Sequence, residues 1–303
     1  MAVLYRSHFH ALELQLELTR QNIPFSITSG IRFFEQAHIK DVAAYLKFIL
    51  NPRDELAVKR IVRLLAGIGA KSADKLWANF QSALAVGPQA PTPLAAALQK
   101  TGAAAPKKAA VAWAQLTATI AQLEAPEIRR SASKMIRHVM EAGYEDYLQE
   151  KYTNYRNRQE DIEQLASFAL QFETMEDFLE QMALQTAIEA EASTRTAEES
   201  DQVRLSTIHQ AKGLEFDVVF VITLCDGLFP STRSIKSLDG EEEERRLFYV
   251  ALTRARDELY LTYPARRSAT WDTGEERQLP SRFLKDLPKD LIDEWNLRSS
   301  SYY

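Results

Sequence analysis

Residues 203–222 read VRLSTIHQAKGLEFDVVFVI. Val203 to Thr207 alternates in character, the two-residue period of a strand. Val218-Val219-Phe220-Val221-Ile222 is an unbroken apolar run, as expected for a strand buried on both faces of a parallel sheet. Between the two lies a polar stretch, Thr207 to Phe216, and polar loops leaving strand ends are where α/β sheets bind ligands.

Strand and helix keep alternating outward from this pair. Glu241 to about Thr253 reads as a helix whose four leading glutamates suit the positive end of its dipole, and Leu259 to Tyr263 as the next strand. At the other end of the chain, Val3-Leu4-Tyr5 is a short apolar run. His8 to Arg20 places Ala11, Leu14 and Leu18 on one helical face, and Pro24 punctuates before a strand at Phe25 to Thr28. The middle has helical periodicity alone. Ile39, Val42, Ala43, Leu46 and Ile49 recur until Asn51-Pro52 stops them, and Leu56 to Leu65 continues to Gly67-Ile68-Gly69. A third helix is expected from Ser72 as N-cap, through Leu76, Trp77 and Phe80. Gly87 to Pro93 and Gly102 to Lys108 read as loops, Ile128–Lys151 and Asp161–Glu191 as long amphipathic helices, and Ala192 to Asp201 as a surface connection. The economical expectation is an α/β fold: a parallel-sheet domain, 1–37 and 201–303, interrupted by an inserted all-helical domain, 38–200.

Composition agrees with a globular protein of two domains: 303 residues, 46% hydrophobic and 26% charged. No run approaches the ~20 apolar residues of a membrane span, and no basic leader precedes an apolar core. Cys225 is the single cysteine, so an internal disulfide is excluded, and no Cys/His cluster has zinc spacing. A cytoplasmic protein without a membrane partner or structural metal is expected. The net charge of −5 leaves room for a local cationic track on an otherwise acidic surface.

Two stretches carry chemistry. In the first, Thr207, His209 and Lys212 offer donors to phosphate, Gly213 permits close backbone approach, and Glu215 can accept from a sugar hydroxyl. The same residues would also make a charged surface turn with a capping threonine. In the second, Arg245, Arg246, Arg254 and Arg256 follow the glutamates, and arginine suits bidentate phosphate recognition. Glu241 with Arg245 and Glu242 with Arg246 are also spaced for i, i+4 pairs on a solvated helix, but Arg254 and Arg256 lie beyond the glutamates' reach.

TIHQAKGLEFDVVFV resembles motif V, and EEERRLFYVALTRARDELYL motif VI, of the UvrD/Rep/PcrA helicases of superfamily 1. LYRSHFHALELQL is similar to the opening of that family's second motor domain. SGIRFFEQAHIKDVAAYLKFILNP resembles its G-x-RFFE-x-x-EIKD stretch, LLAGIGAKSADKL its Gly-Ile-Gly motif, and Pro280-Ser281-Arg282-Phe283 the close of its motor domain. The resemblance implies a RecA-like motor domain and the carboxy-terminal part of an ATP-dependent DNA helicase. Arg254 would be the arginine reaching the γ-phosphate, Glu215 the ribose contact with Gly213 beside it, and Thr207 and His209 single-stranded DNA contacts with Lys212 nearby. Arg6 and Arg32-Phe33-Phe34 would lie towards the single strand, although two adjacent phenylalanines more often belong to a core than to a base-stacking platform. Gly67, Ile68 and Gly69, leading into Ser72, would offer backbone amides to duplex phosphates.

The family's phosphate loop, G-x-x-x-x-G-K-[ST], is absent from these 303 residues, as are its Asp-Glu magnesium site and its Gln-Asn-Tyr-Arg segment. ATP and Mg2+ are therefore expected in a full-length protein with the missing amino-terminal motor half as partner. The chain alone is expected to bind neither and to be inactive. His38 stands before Ile39-Lys40-Asp41 where the family has glutamate. Other expectations are the corresponding half of a RecB/AddA-like helicase–nuclease, or a free-standing DNA-binding module without enzymatic activity. His10, His138, Trp77, Trp113, Trp295 and Cys225 read as packing or surface residues.

Overall fold

The computed structural model describes residues 1–28, 33–86, 90–194, 202–232, 234–236, 238–270 and 274–295. Five strands form one parallel sheet in the order β2-β3-β1-β4-β5: β1 (Ala2–Tyr5), β2 (Phe25–Ile27), β3 (Val203–Thr207), β4 (Phe216–Val221) and β5 (Ala255–Leu261). The centre is β1, with Tyr5 opposite Thr207 on one side and Leu4 opposite Val221 on the other. The first strand of the chain thus takes both its neighbours from beyond the helical segment. A separate antiparallel hairpin joins β6 (Arg266–Thr270) to β7 (Gly274–Arg277).

Helix α1 (Leu12–Arg20) follows a 3-10 turn at His8–Ala11 and leads to β2. From there to β3 the described residues hold helices and no strand: α2 (Ala37–Leu50), α3 (Glu55–Val62), α4 (Ala70–Ala85), α5 (Pro93–Thr101), α6 (Ala110–Leu123), α7 (Pro126–Arg129), α8 (Ala132–Val139), α9 (Glu145–Lys151), α10 (Tyr155–Ala169) and α11 (Met175–Thr194).

The two long helices expected at 128–151 and 161–191 are in fact several shorter ones. Ser131 accepts from the Lys134 amide and starts α8. Gly143, at φ +118, breaks the chain between α8 and α9. Thr174 accepts from the Asp177 amide and separates α11 from α10. The cap of α4 also differs from expectation. Gly69 occupies it and the helix begins at Ala70, so Ser72 already lies inside the first turn. Pro93 opens α5 at its first position instead of closing a loop, and residues 87–89 of that loop lie outside the described residues. The same holds for 29–32, which include Arg32, and for 195–201.

Both sheet faces are covered, because β1 is apolar at every position. Ala2 and Leu4 join Val219, Val221, Phe229, Leu247, Phe248 and Phe283 in a core under α12 (Leu238–Leu252). Val3 and Tyr5 face Ala11, Leu18, Phe25 and Leu205 under α1. Cover thins towards the β5 edge. Val218 and Phe220 are only half-buried, and Phe220 stacks on Tyr260 with ring centres 4.5 Å apart. The unbroken apolar run therefore marks a strand buried on one face and partly sheltered on the other.

A third core fills the helical segment and extends to residues next to the sheet. Phe9, Leu12, Phe33 and Phe34 belong to it together with α2, α8 and α10, and Phe9 meets Phe168 edge-on at 5.5 Å. Phe33 and Phe34 are thus buried at 1% and 2% exposure, in the core that adjacent phenylalanines more often join than a base-stacking platform. Two adjacent rings without polar atoms gain more from a core than from water. Cys225 is likewise a buried filler, and Trp113 is a packing residue whose Nε1 donates to the Leu98 carbonyl at 3.0 Å. Among the described residues no helix is long and apolar enough to cross a membrane.

Candidate functional site

In a parallel sheet each connection must carry the chain from the end of one strand back to the start of the next. Residues 208–215 do this in a tight crossover from β3 to β4, with Ile208 and Ala211 buried against the sheet. The conspicuous loop is therefore divided between two edges. Thr207 and His209 stand where β1 and β3 end, whereas Gly213 and Glu215 stand where β4 and β5 begin. A strand of five or six residues separates the edges by roughly 17–20 Å.

At the edge where strands begin, Arg254 closes α12. Its Nε donates to the Val250 carbonyl at 3.0 Å, Nη2 to Thr253 Oγ1 at 3.0 Å and Nη1 to the Leu214 carbonyl at 2.7 Å. The Phe216 amide in turn donates to the Arg254 carbonyl at 2.9 Å. Arg254 is half-buried and Glu215 exposed, so neither is sealed in a core, and the two meet across Leu214. Glu215 lies 3.5 Å from Arg256 Nε, and Arg256 also reaches Asp217 at 3.2 Å. Gly213 turns at φ +88, a conformation that glycine adopts without strain, with open space where a Cβ would stand. Of the five N–H groups of Arg254, three are used, which leaves one on each terminal nitrogen for a ligand.

At the opposite edge, Thr207 Oγ1 accepts from the Gln210 amide at 3.4 Å and donates to Gln210 Oε1 at 3.1 Å, so it caps the turn. His209 and Lys212 are exposed. Protein around the imidazole, reinforced by the Arg6 cation and opposed by Glu244 and Glu243, lowers the His209 pKa from its ordinary value.

Arg6 is engaged by carboxylates within the protein. Its fork closes on Glu244, Nε at 2.9 and 3.1 Å and Nη2 at 2.7 Å, while Nη2 also reaches Glu160 at 3.4 Å. With 12% of the side chain exposed, Arg6 is not a free surface cation awaiting a phosphate. A guanidinium beside two carboxylates in a desolvated joint is held by them. No sequence signal brings the three together, because they lie on β1's end, α10 and α12.

Gly67, Ile68 and Gly69 form the turn into α4. Ile68 is buried, Gly67 is at φ +90, and Gly69 caps the helix with no side-chain hydrogen bond, so the first amides of α4 have no capping oxygen.

His38 finds partners that glutamate would not need. The Arg158 guanidinium, a pure donor, stands 2.7 Å from Nδ1, which must therefore accept. Nε2 donates to Asp161 at 3.1 Å. Nearby, Asp41 accepts from Arg60 Nε at 2.6 Å and from the Tyr144 hydroxyl at 2.7 Å, binding α2 to α3 and to the α8–α9 turn. Among the described residues no group of three or more His, Cys, Asp and Glu could hold a metal ion.

The two edges, one bearing an arginine on a helix end and the other a histidine and a capped threonine, carry the stretches that a family model recognises. The model of the UvrD-like helicase C-terminal domain matches residues 1–89 and 96–266. The chain belongs to the UvrD-like helicase C-terminal domain family. Its α/β fold is that of such a domain, a parallel sheet accompanied by many helices. DNA helicase II of Haemophilus influenzae is 36% identical over 310 residues, spanning 99% of this chain and 41% of that protein. The ATP-dependent DNA helicase PcrA of Staphylococcus epidermidis is 32% identical over 301 residues, and that of Staphylococcus aureus 30% over 304, each covering 97% of this chain. This UvrD-like region spans 40% or 41% of the length of those relatives.

Proposed function

We propose that this UvrD-like chain is the carboxy-terminal portion of an ATP-dependent DNA helicase or translocase. In this reading residues 1–37 and 201–303 form its second RecA-like motor domain and 38–200 an inserted helical domain. Arg254 reaches the γ-phosphate of ATP held by a facing motor half, Glu215 takes the ribose, and Gly213 gives the nucleotide room. Thr207, His209 and Lys212 contact single-stranded DNA, and the amides after Gly67-Ile68-Gly69, up to Ser72, take duplex phosphates.

The observation that carries the reading is the meeting of Arg254 and the Leu214–Glu215 peptide at one exposed edge. An arginine with unused N–H groups, beside a solvated carboxylate, can stabilise charge on a transferring phosphoryl group while the carboxylate accepts from a hydroxyl. The set lacks a phosphate loop and metal ligands, so Mg2+ does not fit these residues and belongs to the facing half. Closure on ATP would draw the Arg254 edge inward, and release after hydrolysis would let it back. Such alternation, transmitted to the DNA edge, moves a motor along a strand.

The test is Arg254→Ala in the full-length protein. ATP turnover should fall by roughly a thousandfold or more with single-strand binding kept. Equal loss of both would refute the assignment.

A further inference from the structure

The two edges are joined by one rod. Helix α12 starts at the edge where strands end, carrying Glu244, and finishes at the other with Arg254 just beyond it. The eight helical steps from Glu244 to Leu252 rise about 12 Å along the axis, and Arg254 stands two residues further on.

Glu244 is anchored more firmly than any helix-surface glutamate needs. Its side chain is 3% exposed and receives the Arg6 fork in bidentate fashion, and the Ser234 hydroxyl donates to Oε1 at 3.0 Å. The same Arg6 nitrogen that binds Glu244 also reaches Glu160 on α10. Residues 6 and 7 reinforce the joint, since the Ser7 hydroxyl donates to Gln164 one turn further along α10. Burial and the neighbouring Glu244 and Asp161 raise the Glu160 pKa, with Arg6 the main opposing influence. His209 completes the neighbourhood, because Arg6 and Glu244 are among the charges that act on its imidazole.

We propose that Arg6 is a positioning residue: by fastening Glu244 of α12 to Glu160 of α10, it lets the helical segment set where α12 stands, and with it Arg254. The partners of the guanidinium are the two carboxylates, Glu244 and Glu160. A planar fork with five donors can hold two carboxylates at once in fixed geometry, which an ammonium on a flexible stem cannot. The inference rests on the reading of Arg254 given above.

The test begins with the 303-residue chain. Glu160→Ala leaves the Arg6–Glu244 pair intact, and Arg6→Lys keeps the charge but removes the fork. Hydrogen exchange of the α12 amides from Leu247 to Arg254 should quicken roughly fivefold in both variants, while β1 and β4 amides stay as they are. Glu160→Gln, which keeps an acceptor, should recover most of the protection. Unchanged α12 exchange in folded Glu160→Ala and Arg6→Lys would overturn the proposal. In the full-length protein, Glu160→Ala should lower kcat for ATP by about tenfold while KM for ATP and single-strand affinity hold. A normal kcat there would overturn the positioning role even if Arg254→Ala abolishes turnover. If Arg254→Ala itself left turnover intact, the reading of Arg254 would fail instead.

Discussion

Arg254 donates to the Leu214 carbonyl at 2.7 Å, so the arginine that closes α12 is tied to the peptide beside Glu215. Residues forty positions apart thereby form one surface at the starting edge of β4 and β5. The bond also defines what an approaching anion must compete with: a neutral carbonyl, which a phosphoryl oxygen outmatches as acceptor.

Arg254→Lys in the full-length protein should fall nearly as far in ATP turnover as Arg254→Ala. Lysine keeps the charge but cannot hold Leu214 and an anion together. Recovery of most of the turnover by lysine would show that charge alone suffices. Steady-state ATPase assays decide this.

The purified 303-residue chain should hydrolyse no ATP in the presence of single-stranded DNA, because it contains no G-x-x-x-x-G-K-[ST] loop. Turnover that co-purifies with the chain and disappears in Arg254→Ala would refute this.

Gly67→Ala should destabilise the chain by about 1–3 kcal/mol, since a residue with a side chain at φ +90 is strained. The Lys108 side chain that its Cβ would meet is flexible at that end and can move aside. Gly69→Ala meets open space and has an ordinary φ of −92, so it should cost less than about 1 kcal/mol, the loss of a preferred cap residue. Urea denaturation of the two variants would settle the order.

Glu124 accepts from the Leu94 and Ala95 amides at 2.9 and 3.0 Å and so caps α5 from thirty residues away. Thr92, at the N-cap itself, makes no such bond. Glu124→Ala should cost about 1–3 kcal/mol by leaving buried amides unpaired. Equal unfolding midpoints for the variant and the parent chain would contradict it.

His8 and His209 both have lowered pKa values in the fold, chiefly through loss of water. The unfolded chain therefore binds their protons more readily, and stability rises with pH across that window. Their contribution is full above the ordinary value near 6.5 and is lost as pH falls below it towards the lowered values. Glu124 and Glu160, raised by burial, act in the opposite sense at lower pH. His209→Gln isolates one group: between pH 7.5 and 5.5 its stability should decline less than that of the parent chain, measured by urea midpoints at each pH. A steeper decline would refute the assignment.

Strands β1 to β5 were legible to within a few residues, since β1, β3 and β4 announce themselves by periodicity and β5 by its place after an acid-led helix. The helical segment was legible as helical but not in its joints. Ser131, Thr174 and Gly143 each stop a helix through a local hydrogen bond or a positive φ, and amphipathic periodicity runs straight across such points. The cap of α4 was misplaced by three residues because Ser72 is the better cap by type, whereas the helix starts directly after the Gly67-Ile68-Gly69 turn. The carboxylate partners of Arg6 were not legible, because Glu160 and Glu244 lie 154 and 238 positions away.

By itself the sequence determined the family, the α/β pattern and the residue types able to meet a phosphate, because periodicity and motif spacing are local properties of the chain. Tertiary structure alone decided that one polar loop serves two opposite edges and that Arg6 is enclosed by carboxylates. The physical reason is that parallel pairing and burial bring together residues from distant parts of the chain. A guanidinium's role is set by which acceptors surround it after folding.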